Sequence, residues 1–162
     1  YAWVDAQRET PLELGLGWMV RRLQDDDRAF VGRRAIEQAK ATKSSRWRTV
    51  GLVFDPFAYE RIHNEQGIIA PKADVFYQGT LYVYSDDFNA NIESQYVGYV
   101  TSFMFSPILK KHIAIAKVAP GFNKRGSQVF VELEVLHRSQ YFPATVSRMP
   151  FYDPARKKLK NI

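Results

Sequence analysis

Cysteine is absent from the 162 residues. Disulfides, thiolate nucleophiles and Cys-ligated metals are therefore excluded, and the composition favours a cytoplasmic setting, or the mitochondrial matrix if the source is eukaryotic. Histidine is scarce: His63, His112 and His137 stand far apart, none with a ligand-spaced neighbour. A zinc site gathers several N, S or O ligands at short spacings, so no metal is expected. No apolar run approaches the roughly 20 residues of a membrane span. The start lacks the basic, apolar, small-residue order of a signal peptide, and no membrane partner is expected. Ser102 and Ser106 lack the flanking glycines of a nucleophile elbow. Gly15-Leu16-Gly17 lacks the third glycine of a dinucleotide loop. An initiator Met is also missing, and Tyr1-Ala2-Trp3 begins in mid-pattern, as expected of a piece of something longer.

What is present suits one domain, or one and a part. The hydrophobic share is 46%, with 11 Phe and 9 Tyr, enough for a core, and mean hydropathy is −0.33. Net charge is +6 with a pI near 9.5. The excess lies in two runs, from Arg21 to Arg48 and in the tail Arg156-Lys157-Lys158-Leu159-Lys160. Such runs fit either a solvated face or an anionic partner.

Along the chain, residues 11–24 read as extended and turn at Asp25-Asp26-Asp27. Those three acids lack the glycine and distal Glu of a calcium loop. Gly32 to Lys43 reads as a short helix, with Ala35, Ile36 and Ala39 on one face. The period then changes. Strands are expected over 49–54, 96–101 and 113–118, and most clearly where Val129, Val131, Leu133 and Val135 alternate with Glu132 and Glu134. Residues 141–148 should pair back. Residues 55–73 read as irregular, and 75–84 as a hairpin about Gln78-Gly79-Thr80. Tyr96, Tyr99, Phe103 and Phe105 near Lys110 and Lys111 fit core packing or a base-stacking platform. Many short strands after a short helix predict a small antiparallel barrel or sandwich.

One carboxylate remains to be explained. Glu13 lies within the uncharged phrase Thr10-Pro11-Leu12-Glu13-Leu14-Gly15-Leu16-Gly17-Trp18. A buried carboxylate is costly unless donors reach it. Glu13 is thus half of a structural ion pair or a hook for a ligand with N–H groups.

The ordered phrases say more. Pro11-Leu12-Glu13-x-Gly15-Leu16-Gly17-Trp18 is followed by Phe30-Val31-Gly32-Arg33-Arg34-Ala35-Ile36 and Val50-Gly51-Leu52. Then come Gly98-Tyr99-Val100-Thr101-Ser102, Phe105-Ser106-Pro107-x-Leu109-Lys110-Lys111, Ile113-Ala114-Ile115-Ala116-Lys117-Val118, Pro143-Ala144-x-Val146 and Pro150-Phe151-Tyr152-Asp153-Pro154. In this order the chain resembles the C-terminal part of the glycine cleavage T-protein (aminomethyltransferase) family. That family includes the folate-binding portions of dimethylglycine and sarcosine dehydrogenases and tetrahydrofolate-dependent demethylases.

The resemblance implies a mainly β fold with some α: a C-terminal antiparallel β-barrel, residues 46–162, preceded by the end of an α+β folate-binding lobe, residues 1–45. It implies tetrahydrofolate as cofactor, with flavin only on a separate domain. By its motif Glu13 accepts hydrogen bonds from the pterin edge and Arg33 lies near the folate; by chemistry alone, the Trp18 indole is a candidate neighbour of the ring. The residue assisting one-carbon transfer is implied to be an aspartate in the N-terminal lobe, so no residue here is expected to be catalytic. Implied partners are that lobe and either a lipoyl carrier protein or a methylated small-molecule donor; nucleic acid is not expected. The alternative is a non-catalytic folate-, anion- or RNA-binding module of the same fold. Two departures stand out. Phe103-Met104 occupy positions where the family has small residues, and the 55–95 segment is longer than the family's usual insert.

Overall fold

The computed structural model describes residues 9–20, 29–72, 81–91 and 93–154. Helix α1 spans Arg33–Ala41, β1 Arg48–Phe54, α2 Pro56–Glu65, β2 Leu81–Tyr84, β3 Tyr96–Ser106, β4 Lys111–Val118, β5 Gln128–Val135 and β6 Arg138–Ser147. The strands close into a barrel in the order β1-β4-β3-β2-β5-β6, every pair antiparallel. Closure leaves no free sheet edge. The fold is mainly β with a closed antiparallel barrel, as expected.

Period-two alternation builds the interior. Val50, Leu52 and Phe54 of β1 point inward with Ala114, Ala116 and Val118 of β4, Val129 and Val131 of β5, and Phe142, Ala144 and Val146 of β6. Small alanines among valines suit the narrow lumen of a small barrel. The β5 alternation holds as read, and β6 pairs back upon it from Gln128↔Thr145 to Val135↔Arg138.

Strand β3 runs five residues past the expected 96–101. Its pairing with β4 shifts register between Val100 and Ser102, so Val100 faces Ala116 and Phe103 faces Ala114. The extra residue, Thr101, is a bulge that lets two side chains three apart both point inward. The four aromatics near Lys110 therefore do not form one platform. Phe103 joins the core, while Tyr99 pairs with Lys117 on the outer face and Tyr96 is exposed.

Two other expectations are corrected. Residues 56–65, read as irregular, form α2. The Asp55 carboxylate caps its start by accepting from the Phe57 and Ala58 amides at 2.9 and 3.2 Å, and Pro56 occupies the first turn. The buried stripe Tyr59, Ile62 and His63 turns that helix onto one end of the barrel. Within 11–24, the described residues are not extended. Residues 11–15 form turns, with Leu14 and Leu16 donating to the Thr10 and Pro11 carbonyls, and 17–20 are helical. The expected turn at 25–27 and most of the 75–84 hairpin lie outside the described residues. Helix α1 matches its expected place, with Gly32 at its N-cap in the left-handed region at φ 92°.

Candidate functional site

The structure brings Glu13 against the start of β1. Its side chain is buried, and both carboxylate oxygens are engaged by the chain itself. Oε2 accepts from the Thr10 amide and hydroxyl, each at 3.0 Å. Oε1 accepts from the Arg46 amide at 2.7 Å and the Trp47 amide at 3.4 Å. The Thr49 hydroxyl donates to the Glu13 carbonyl at 2.5 Å. A carboxylate offers about four lone-pair sites, and four donors occupy them. Among the described residues Glu13 is neither half of an ion pair nor an open acceptor. It is a clip joining residues 9–20 to the barrel, and a ligand N–H would have to displace one of these donors.

The electrostatics follow. Burial opposes ionisation of Glu13, but the donors from Thr10, Arg46 and Trp47 outweigh it and hold the carboxyl below its ordinary value of 4.5. Because the folded value is depressed, the stabilisation is complete above the unfolded value and is lost as pH falls through the folded one. Glu13→Gln sets an amide NH2 against N–H donors. It should cost about 1–3 kcal/mol at neutral pH. That deficit should shrink once acid protonates the wild-type carboxyl, as urea titrations at both pH values would record. A deficit unchanged in acid would contradict the clip's electrostatic basis.

A second tie lies beside the first. Glu9 accepts from the Lys117 ammonium through Oε2 and from the Tyr99 hydroxyl through Oε1 at 2.8 Å. The Lys117 and Glu9 side chains are 2% and 6% exposed, so this is an ion pair fully withdrawn from water. Sequence reasoning missed it. The available signal was a lone lysine inside the alternating apolar run 113–118.

Trp18 and Arg33 are not drawn to Glu13's oxygens. Trp18 is 64% exposed, with Met19 and Val31 also bare. Arg33 Nε donates to the Glu37 carboxylate at 2.9 Å across one helical turn. Helix α1 has no buried residue: Ile36 and Ala39 are half-covered and Ala35 is open. Among the described residues there is no cluster of metal-binding side chains and no helix long and apolar enough to cross a membrane.

Fold and junction together define a closed barrel domain carrying an attached segment whose Trp18 and Met19 the described residues leave uncovered. A family model described as the glycine cleavage T-protein C-terminal barrel domain matches residues 48–153. Among curated relatives, an aminomethyltransferase of Picosynechococcus sp. is 31% identical, over 91% of this chain and 32% of the relative. An aminomethyltransferase of Synechococcus sp. (strain CC9311) is 34% identical, over 88% of this chain and 30% of the relative. A solved structure of the glycine cleavage system aminomethyltransferase T from Bartonella henselae shares the fold with a TM-score of 0.61 at 21% identity, covering 90% of this chain and 32% of that one. The chain belongs to the glycine cleavage T-protein family, as its C-terminal barrel portion. It spans about a third of the length of these relatives.

Proposed function

We propose that this chain is the C-terminal portion of a tetrahydrofolate-dependent aminomethyl- or methyltransferase, with residues 1–45 completing a folate-binding lobe and 46–162 forming the barrel. The observation that carries the reading is the bare Trp18 and Met19 in the segment held against the barrel by the Glu13 clip, with Val31 also uncovered among the described residues. An indole is a good platform for a flat heterocycle, and a guanidinium such as that of Arg33 suits an anionic tail. These residues fit part of a folate site. Glu13 fits it as a positioning residue, because its oxygens are already filled.

Tetrahydrofolate, when bound, supplies the nitrogen that accepts the one-carbon unit. This chain's contribution is to orient it and keep water out. The rest of the polypeptide supplies the remaining wall and the group that works on the donor, whether an aminomethyl-lipoyl protein or a methylated small molecule.

The test is titration of tetrahydrofolate into the longer polypeptide. Trp18→Ala should weaken binding by about tenfold, the loss of one stacking contact. Glu13→Gln should weaken it in step with its loss of stability. The 162-residue chain alone should transfer no one-carbon unit from any donor; turnover by it would overturn the assignment of the chemistry upstream. Unchanged affinity in Trp18→Ala would remove the indole from the site.

A further inference from the structure

The barrel end capped by α2 lies away from the Glu13 junction and holds a cavity of about 320 Å³. Tyr59, Phe105 and His112 form an aromatic floor, and Lys72, Lys110 and Lys111 surround it. The floor is built to stay in place. The His112 ring stacks on Tyr59 at 4.0 Å and on Phe103 at 5.3 Å with only 8° between planes. Phe103 is one of the bulky residues standing where the family has small ones. Its ring backs the floor, so the departure noted in the sequence shapes this cavity.

The polar groups there are unusually unspent. His112 Nε2 lies 3.1 Å from the Pro71 carbonyl, so that nitrogen carries the proton and donates, fixing the residue before Lys72. Burial pushes the imidazole down to about 4, so it is neutral at physiological pH. The Tyr59 hydroxyl makes no hydrogen bond among the described residues, although the residue is only 4% exposed. Among the described residues no side-chain polar atom sealed from solvent lacks a partner, so this hydroxyl must touch open space, and Tyr59 lines the cavity. Lys72, Lys110 and Lys111 make no ion pair among the described residues; the Lys72 ammonium lies 6.0 Å from the centre of the Phe105 ring. Among the described residues, the only carboxylate lining the cavity is that of Glu60. Among the described lining residues, three ammonium groups against one carboxylate make the mouth electropositive.

We propose that this cavity binds a small anion built on one planar ring, an aryl carboxylate or dicarboxylate. The ring lies on Tyr59 and Phe105, the carboxylates meet the lysines, and the Tyr59 hydroxyl donates the remaining bond. The volume is at the low end for ligand pockets and holds one substituted ring rather than a multi-ring cofactor. The site is therefore separate from the folate reading and does not rest on it.

The test uses phthalate as probe, titrated into the 162-residue chain and followed by backbone amide and imidazole NMR shifts. Saturable shifts are expected at residues 59–60, 70–72, 105 and 110–112. Benzamide, which keeps the ring without the charge, and inorganic phosphate, which keeps the charge without the ring, should each bind at least about tenfold more weakly. Lys72→Gln with Lys111→Gln should weaken phthalate by about tenfold or more, both side chains being exposed and safe for folding. Tyr59→Phe keeps the stack and should lose about three- to fivefold, the scale of one neutral hydrogen bond. Glu60→Gln should tighten binding, which a merely structural role for the lysines would not produce. Absence of saturable shifts, phosphate or benzamide binding as tightly as phthalate, or affinity indifferent to the lysine pair would each overturn the proposal.

Discussion

Gly98→Ala should abolish cooperative folding of the barrel. A Cβ at that position would sit 2.1 Å from the Lys117 carbonyl oxygen and 2.8 Å from the Val118 Cα. Both obstacles are backbone, so no side chain can swing aside. Gly98 pairs directly with Val118, and β4 is held on its far edge by β1 from Arg48↔Val118 to Val53↔Ile113. In an open sheet the strand is free to splay; in a closed barrel every neighbour is already bonded on both sides. The expected cost exceeds about 4–5 kcal/mol, the range reserved for severe steric or polar faults, and is a large part of the roughly 5–15 kcal/mol that holds a domain folded. Chemical denaturation followed by circular dichroism would measure it. Gly17→Ala is the control, since its Cβ meets only a Leu12 methyl at 3.5 Å; it should change stability by less than about 0.5 kcal/mol, as surface changes do. A Gly98→Ala protein with a near-wild-type transition would show that β4 can yield.

The second large effect belongs to Lys117. Lys117→Met removes the ammonium and leaves the Glu9 carboxylate buried with the Tyr99 hydroxyl as its remaining donor among the described residues. Breaking a buried pair from one side costs about 3–5 kcal/mol, because the surviving charge stays out of water. The double change Glu9→Leu with Lys117→Met removes both charges and should recover most of that loss. A double variant as unstable as the sum of its singles would mean the pair is not a coupled unit. In the longer polypeptide, the single change should also loosen residues 9–20 and with them Trp18. Limited proteolysis near residue 20 would report that loosening separately from the stability of the barrel.

The two ties show why Glu13 was only half legible. A carboxylate alone in an apolar phrase announces that donors must reach it. It cannot say whether those donors belong to a ligand or to the protein. Here two are the amide and hydroxyl of Thr10, three residues away, and two are the amides of Arg46 and Trp47, 33 and 34 residues away, which only the tertiary fold brings within reach. Helix α2 was missed for a different reason. Its start signal, Asp55 before Pro56, was present, but its buried stripe is Tyr59, Ile62 and His63, whose mixed polarity hides the apolar period. The β3 bulge was invisible because one inserted residue reverses the faces of everything beyond it.

The sequence by itself determined the strands of β1, β4, β5 and β6, the short helix before them and the family, because these rest on local alternation and ordered phrases. Period-two patterns need only neighbouring residues to be read. The tertiary structure alone decided the ring order of the strands, the use of Glu13 as an internal clip, the burial of Glu9 against Lys117 and the convergence of Lys72, Lys110 and Lys111 on one aromatic floor. Each of these depends on which distant segments closure brings together, and closure is a property of the whole sheet rather than of any stretch of chain.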